Sequence, residues 1–352
     1  MSSHPEPALA QPELPCGAEA VDEFLSRPVP VALSVLERMP GPVLVLGAGG
    51  KIGLHLSAMI RRGFTALGRK DRVVAVSRFS TLRGREDFAA FDVETIPCDL
   101  TDPQALARLP DAPTVFFLAG VKFGTADSPE LLRRYNAEMP QLVADRFARS
   151  RIVAFSSGCV YPFMSAASGG ATEATPPGPN GPYAASCLER ETAFAEASRR
   201  QGTPVALIRL NYAVEFRYGV LVDIAEKVLR GAVIDLTTGY VNVIWQHDAV
   251  VHTIQALDVA GSPAAPLNVT GAAVLPVREL ATRFGGLFGC PVRFSGAEAD
   301  TAWLNNAACS HRLFGPPPTS LDRMMRWVAA WLLRRGATWK KSTGYDRRDG
   351  RF

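Results

Sequence analysis

Val43-Leu-Val-Leu-Gly-Ala-Gly-Gly-Lys-Ile-Gly53 is the stretch whose reading decides the fold. Its four apolar residues predict a buried strand, and Ile52 to Arg62 predicts a helix. Gly47, Gly50 and Gly53 stand between and across them at three-residue spacing. Glycine at these positions allows a tight turn, close backbone approach to a pyrophosphate and close helix–strand packing. The free N–H groups at the helix N-terminus then face an anion. Gly47, Gly50, Lys51, Ile52 and Gly53 are therefore candidate cofactor-binding residues. A plain strand-to-helix turn would carry the same triplet, so the rest of the chain has to decide.

Val73 to Arg78 reads as a second buried strand, at the distance downstream where a dinucleotide fold places its ribose reader. An acidic residue there would accept from the ribose hydroxyls and repel a 2′-phosphate. Ser77 and Arg78 stand there instead, which favours NADP and leaves NAD open, because a guanidinium pairs well with phosphate. An exposed loop arginine is the plainer reading of Arg78. Glu94 to Leu100 and Thr114 to Gly120 read as the third and fourth strands, and Gln104 to Leu109 as a helix between them. This alternation predicts an α/β fold with a doubly wound parallel (Rossmann-type) sheet covered on both faces.

The chain has 352 residues and a formal net charge of +4, enough for one large domain or two intimate ones. The basic run Arg347–Arg351 reads as a solvated tail, so no nucleic-acid partner is expected. No apolar run is long enough to span a bilayer, and no secretory signal opens the chain. Six cysteines without a CxxC pair suit buried thiols in a reducing, cytoplasmic setting. His247 and His252, five apart, suit no metal site.

Four segments are expected: an N-terminal extension over 1–41, a dinucleotide-binding domain over 42–210, a small discontinuous substrate-binding region over 211–345, and a basic tail over 346–352. Residues 1–18 read as loose, whereas Val21 to Met39 carries apolar residues able to pack on the main domain. Val243–Trp245 and Leu267–Val269 read as strands that could join the sheet; Tyr218–Arg230 and Val277–Phe288 read as helices. The loop from Phe163 to Pro182 is long enough to suggest a lid or substrate loop.

Ile152 to Ser157 reads as a strand ending in hydroxyls, and Gly181-Pro-Tyr-Ala-Ala-Ser-Cys187 opens a helix. The ordered set then comprises the glycine loop, Asp99-Leu100, Ala119-Gly120, Asn136, Ser156-Ser157 before Val160-Tyr161-Pro162, Pro182-Tyr183 and Arg209-Leu210-Asn211. Over roughly residues 42 to 290 this set resembles the extended short-chain dehydrogenase/reductases, the group of sugar-nucleotide epimerases and dehydratases. The resemblance implies that Tyr183 exchanges a proton with a substrate oxygen and that Ser157 hydrogen-bonds the same oxygen. It implies that Asp99 and Leu100 border the adenine and that Leu118, Ala119 and Gly120 pass under the cofactor. Asn136 would anchor the strand-four region, and Asn211 would lie near the nicotinamide or substrate. It also implies a homodimer paired through Pro129–Arg149 and Ala184–Arg200.

The sequence departs from the family where a lysine is expected one helical turn after the tyrosine: Cys187 stands there. A positive charge about 4–5 Å from the phenol, at an effective dielectric of about 20, is worth roughly two to three pKa units. Lys122 is the candidate substitute, since Ala119-Gly-Val-Lys122 resembles the segment of UDP-galactose 4-epimerases whose lysine contacts the cofactor. Cys187 could act as a thiolate near a helix N-terminus or as a small packing residue. Cys159 resembles the epimerisation cysteine of GDP-fucose synthases, but its expected histidine partner falls near Phe216. Val241 stands where sugar-nucleotide members carry a phosphate-gripping arginine, with Arg217, Arg278 and Arg293 as possible replacements. The reading that results is an NADP-dependent oxidoreductase or epimerase acting on a hydroxyl or carbonyl carbon of a polar small molecule. The alternative is a cofactor binder without redox turnover, either a sensor or a non-redox lyase or isomerase.

Overall fold

Val43–Leu46, four apolar residues buried on both sides, form the first strand (β1) of the sheet in a computed structural model that describes residues 14–80, 82–122, 124–125 and 128–351. The other strands are β2 (Val73–Ser77), β3 (Glu94–Pro97), β4 (Thr114–Phe117), β5 (Arg151–Ser157), β6 (Val205–Leu210) and β7 (Ala265–Val269). They form one seven-stranded sheet in the order β7-β6-β5-β4-β1-β2-β3, and every pairing is parallel. The order reverses between β1 and β4, and ligands of such sheets bind outside the strand C-termini at that switch point.

The pleat sorts the side chains of β1. Val43 and Val45 face one layer, with Phe64 and Ile254. Leu44 and Leu46 face the other, with Phe147 and Phe194. A strand buried on both faces has to be apolar throughout, which is why β1, β2 and β4 read as continuous hydrophobic runs.

A second core, built around Phe216, Trp245, Trp327 and Trp331, forms beside the sheet. Two-residue and three-residue strand pairs stitch it together. Ala213–Val214 runs parallel to Ile244–Trp245, so the expected strand at 243–245 forms but lies outside the main sheet. Leu267–Val269 lies in β7 and does extend it. Within the Phe163–Pro182 loop, Met164–Ser165 pairs with Thr301–Ala302.

The N-terminal extension divides between the two cores. Helix α1 (Ala18–Leu25) buries Val21 and Leu25 in the second core, and α2 (Pro30–Arg38) buries Val35 and Leu36 against the sheet layer. Looseness was expected over 1–18; residues 1–13 lie outside the described residues, and 14–18 lead directly into α1. The glycine-loop helix, α3, runs from Gly53 to Ala66.

The reading of 346–352 as a solvated tail is corrected. Tyr345 is buried in the second core. Asp346 pairs with Lys227 at 2.8 Å, and the Arg348 guanidinium donates to Thr301 Oγ1 at 2.9 Å. A run rich in arginine looks solvated from composition alone; here Asp346 and Arg348 meet partners on the body of the protein, while Arg347, Asp349 and Arg351 stay exposed.

Candidate active site

The glycine loop has the geometry its spacing implied. Gly47 has φ 79°, and a Cβ there would lie 2.5 Å from Ala119 Cα, so only glycine lets β1 turn beneath the end of β4. A Cβ on Gly53 would run into the Ala48 carbonyl, which is the close helix–strand packing expected. Gly50 is exposed at the head of α3. The turn therefore fits a pyrophosphate, with backbone rather than side chains at the approach. Lys51 aims its ammonium at the Tyr218 ring, 3.2 Å from the centroid. Burial, with Lys341 and Lys122 nearby, pulls its pKa down to about 6.

At the end of β2, Ser77 abuts the loop, since a Cβ on Gly49 would lie 2.7 Å from its Oγ. Arg78 is exposed and donates to the Tyr135 hydroxyl at 2.7 Å. The Asp99 carboxylate accepts from the backbone N–H and hydroxyl of Thr101 at 3.0 and 2.8 Å. Leu100 is buried, Leu118 half-buried, and Gly120 exposed where the β4 chain leaves the sheet. Asn136, within a π-helical turn at Arg133–Glu138, clamps that exit. Its Oδ1 accepts from Val121 N–H at 2.9 Å, and its Nδ2 donates to Val121 O and Ser186 Oγ, both at 2.9 Å.

Tyr183 opens the helix Pro182–Gln201, with Pro182 at a position where no N–H is needed. Ser157 ends β5, and the Cys159 thiol donates to its Oγ at 3.0 Å. Cys187, fully buried one turn after Tyr183, hydrogen-bonds both Cys159 and Tyr183. The two cysteines thus lie between the two hydroxyls. Lys122 places its Nζ 5.7 Å from the Tyr183 ring centroid and donates to Thr343 O at 3.0 Å.

The electrostatics follow from this crowding. Burial lowers Lys122 to about 8, against the pull of Cys159, Cys187 and Asp223. Burial, then the neighbouring thiols, pushes Tyr183 well above the ordinary phenol range, while Arg190 pulls the other way. Burial also opposes a Cys187 thiolate, but hydrogen bonds from Cys159 and Tyr183 and the Arg190 charge prevail and bring it to about 7. Cys159 is raised, because two contacting thiols resist ionising together.

Several replacement roles do not survive. Arg217 is buried in ion pairs with Glu215 and Asp22, Arg278 pairs with Glu298, and Arg293 donates to Gly231 O. None of these three is committed to the cleft. Phe216, at the expected histidine position, is buried in the aromatic core beside Trp245 and Trp327. Asn211 is buried and donates to Trp303 O at 3.2 Å. No cluster of metal-ligating side chains occurs among the described residues, and no described helix is long and apolar enough to cross a membrane.

Sequence reading missed a buried network that ties the N-terminal extension to the loop helix. The Asp22 carboxylate accepts from Arg83 Nη1 at 2.9 Å, Arg217 Nη2 at 2.7 Å and His55 Nε2 at 2.8 Å. Gln246 Nε2 lies 2.6 Å from His55 Nδ1. A donor on that nitrogen keeps the imidazole neutral with its proton on Nε2. Burial agrees, lowering His55 to about 4 despite Asp22. Nothing local marks these residues, because their partners lie on five separate segments.

A family profile described as the NAD dependent epimerase/dehydratase family matches residues 43–231. Comparison with curated proteins gives no significant relative. Among solved structures, the UDP-glucose 4-epimerase of Thermotoga maritima, with UDP-glucose, is 16% identical, with 83% of this chain and 99% of that chain covered and a TM-score of 0.68. A double mutant of DesIV, the dTDP-glucose 4,6-dehydratase of Streptomyces venezuelae, with NAD and DAU bound, is 21% identical over 84% of this chain and 98% of its own, at TM-score 0.71. The UDP-glucose 4-epimerase of Thermus thermophilus, complexed with NAD, is 19% identical over 82% and 97%, at TM-score 0.67. At these identities the structural likenesses speak to the fold.

Proposed function

The chain belongs to the NAD dependent epimerase/dehydratase family and is an enzyme of the extended short-chain dehydrogenase/reductase type; from that premise we propose that it is an NADP-preferring oxidoreductase or epimerase acting on a hydroxyl or carbonyl carbon of a polar, sugar-like or hydroxy-acid substrate. The observation that carries this is Lys122 beside the Tyr183 ring, in a cleft that also holds the glycine turn and Ser157.

The glycine turn and α3 N-terminus would hold the pyrophosphate, and Ser77 and Arg78 the adenosine ribose and its 2′-phosphate. A bound nicotinamide supplies a hydride acceptor or donor. Tyr183, held in its neutral form by burial, donates its proton to a substrate carbonyl oxygen or receives one from a hydroxyl. Ser157 hydrogen-bonds the same oxygen. Lys122 supplies the positive charge that the family lysine supplies elsewhere, and so limits the cost of a transient phenolate. Cys187 fills the vacated lysine position and hydrogen-bonds the phenol.

The substrate is drawn only to its class. UDP-glucose and DAU are found in related structures, but Val241 cannot grip a phosphate and the three candidate arginines are engaged elsewhere. One observation favours the second reading, a binder without redox turnover: a thiol, Cys187, in place of an ammonium at the lysine position. Calorimetric titration with NADP and NAD tests the cofactor assignment. NADP binding tighter than NAD supports it; equal affinity removes the NADP preference, and no binding of either removes the cofactor.

A further inference from the structure

Residues 338–351 run from Tyr218, beside the glycine loop, to the head of the Tyr183 helix. The Trp339 ring stacks on Tyr218 at 5.6 Å, on the ring that also receives Lys51 of the glycine loop. The Trp339 backbone N–H donates to Arg217 O at 3.1 Å. Asp223 then accepts from the Thr343 N–H and hydroxyl at 2.8 and 2.6 Å. Thr343 O in turn accepts from Lys122. Further on, Asn180 Nδ2 donates to Arg348 O at 3.0 Å, and Gly350 Cα lies 2.7 Å from where a Cβ on Gly181 would stand. Gly181 is the N-cap of the Tyr183 helix. The segment therefore touches Tyr218, which also receives the glycine loop's lysine, then Lys122, then the head of the tyrosine helix.

These contacts are distributed along the whole segment and use both side chains and backbone of the body. Thr343 and Tyr345 are buried. By contrast Gly50 and Arg78, on the pyrophosphate and adenosine side, are exposed. One half of the cleft is open and the other is filled by the chain's own C-terminal segment.

We infer that residues 338–351 form a strap that occupies the nicotinamide half of the cleft and competes with the dinucleotide for it, so that cofactor binding requires the strap to lift from Lys122 and Asp223. The inference rests on the cofactor reading above. Apparent affinity is then reduced by the fraction of molecules with the strap lifted; a strap open about one time in ten weakens binding about tenfold.

The test compares NADP titrations of the full chain, a chain ending at Ala337, and the full-length double variant Asp223→Ala/Asn180→Ala. The double variant removes two anchors but retains Tyr345, so it decides the question if the shortened chain does not fold. NADP binding about tenfold tighter in the variants, with faster proteolysis of the C-terminal segment of the full chain once NADP is added, is the expected result. Unchanged or weaker binding in the folded double variant overturns the strap while leaving the cofactor reading intact. No binding by any version overturns both.

Discussion

The ammonium of Lys122 lies 5.7 Å from the centroid of the Tyr183 ring, although Lys122 follows β4 and Tyr183 opens the helix Pro182–Gln201 after β5. One helical turn beyond Tyr183, where the family lysine would stand, is the buried thiol of Cys187. Lys122, on the chain leaving β4, thus adds a positive charge near the phenol to that of Arg190.

Lys122→Met should lower turnover and raise the apparent pKa of the rate profile, because it removes a charge that favours the phenolate. The pH–rate profile of the variant beside the parent checks this. Superimposable profiles would leave Tyr183 acting as a neutral donor without help from Lys122.

Cys187→Lys should place a second ammonium beside the phenol. If the parent turns over slowly for want of that charge, the variant gains activity; if Lys122 already supplies it, two buried cations repel and turnover falls. The account expects the fall. Initial rates of the two proteins with one substrate give the answer.

Arg78→Ala should weaken NADP binding by roughly 1–3 kcal/mol, the worth of a charge-assisted hydrogen bond, and leave NAD nearly unchanged. Arg78 is exposed and donates to the Tyr135 hydroxyl, so folding should be unaffected. Calorimetry with both cofactors on parent and variant measures the difference.

Stability should fall between about pH 6.5 and 4 as two buried histidines are forced to remain neutral. Burial lowers both His55 and His252 to about 4 in the folded protein, from the ordinary imidazole value of 6.5. In that window the unfolded chain binds more protons than the folded one, so acidification favours unfolding. Each histidine contributes up to about 3 kcal/mol, fully present above the upper limit and lost by the lower one. His252→Gln should flatten the slope of unfolding free energy against pH; a slope identical to the parent's would remove His252 from it.

The sheet was legible in the sequence because parallel strands buried on both faces must be continuous apolar runs, as Val43–Leu46 and Thr114–Phe117 are. The glycine turn was legible because Gly47 and Gly53 face backbone that admits no Cβ. Asn136 was legible through its place in an ordered motif. The Asp22–His55–Arg83–Arg217 network was not, since each member is an ordinary polar residue until the fold joins them. The C-terminal segment misled for a related reason: Arg347–Arg351 is basic and polar, and only Tyr345 hinted at burial. Arg217 misled similarly, because a guanidinium aimed at phosphate and one held by Glu215 have the same sequence signature.

The central claim is that Tyr183 moves a proton to or from a substrate oxygen in a nicotinamide-dependent reaction. The most direct measurement follows the absorbance of the nicotinamide cofactor in a screen of sugar-nucleotides, sugars and hydroxy or keto acids, with the parent and Tyr183→Phe side by side. The phenylalanine keeps the ring and loses the hydroxyl, so the account predicts turnover in the parent with at least one compound and a loss of about 10²- to 10⁴-fold in the variant, at similar cofactor affinity. Turnover in Tyr183→Phe equal to the parent's, or neither a change in nicotinamide absorbance nor an epimerised product by product analysis with any compound in either protein, would contradict it.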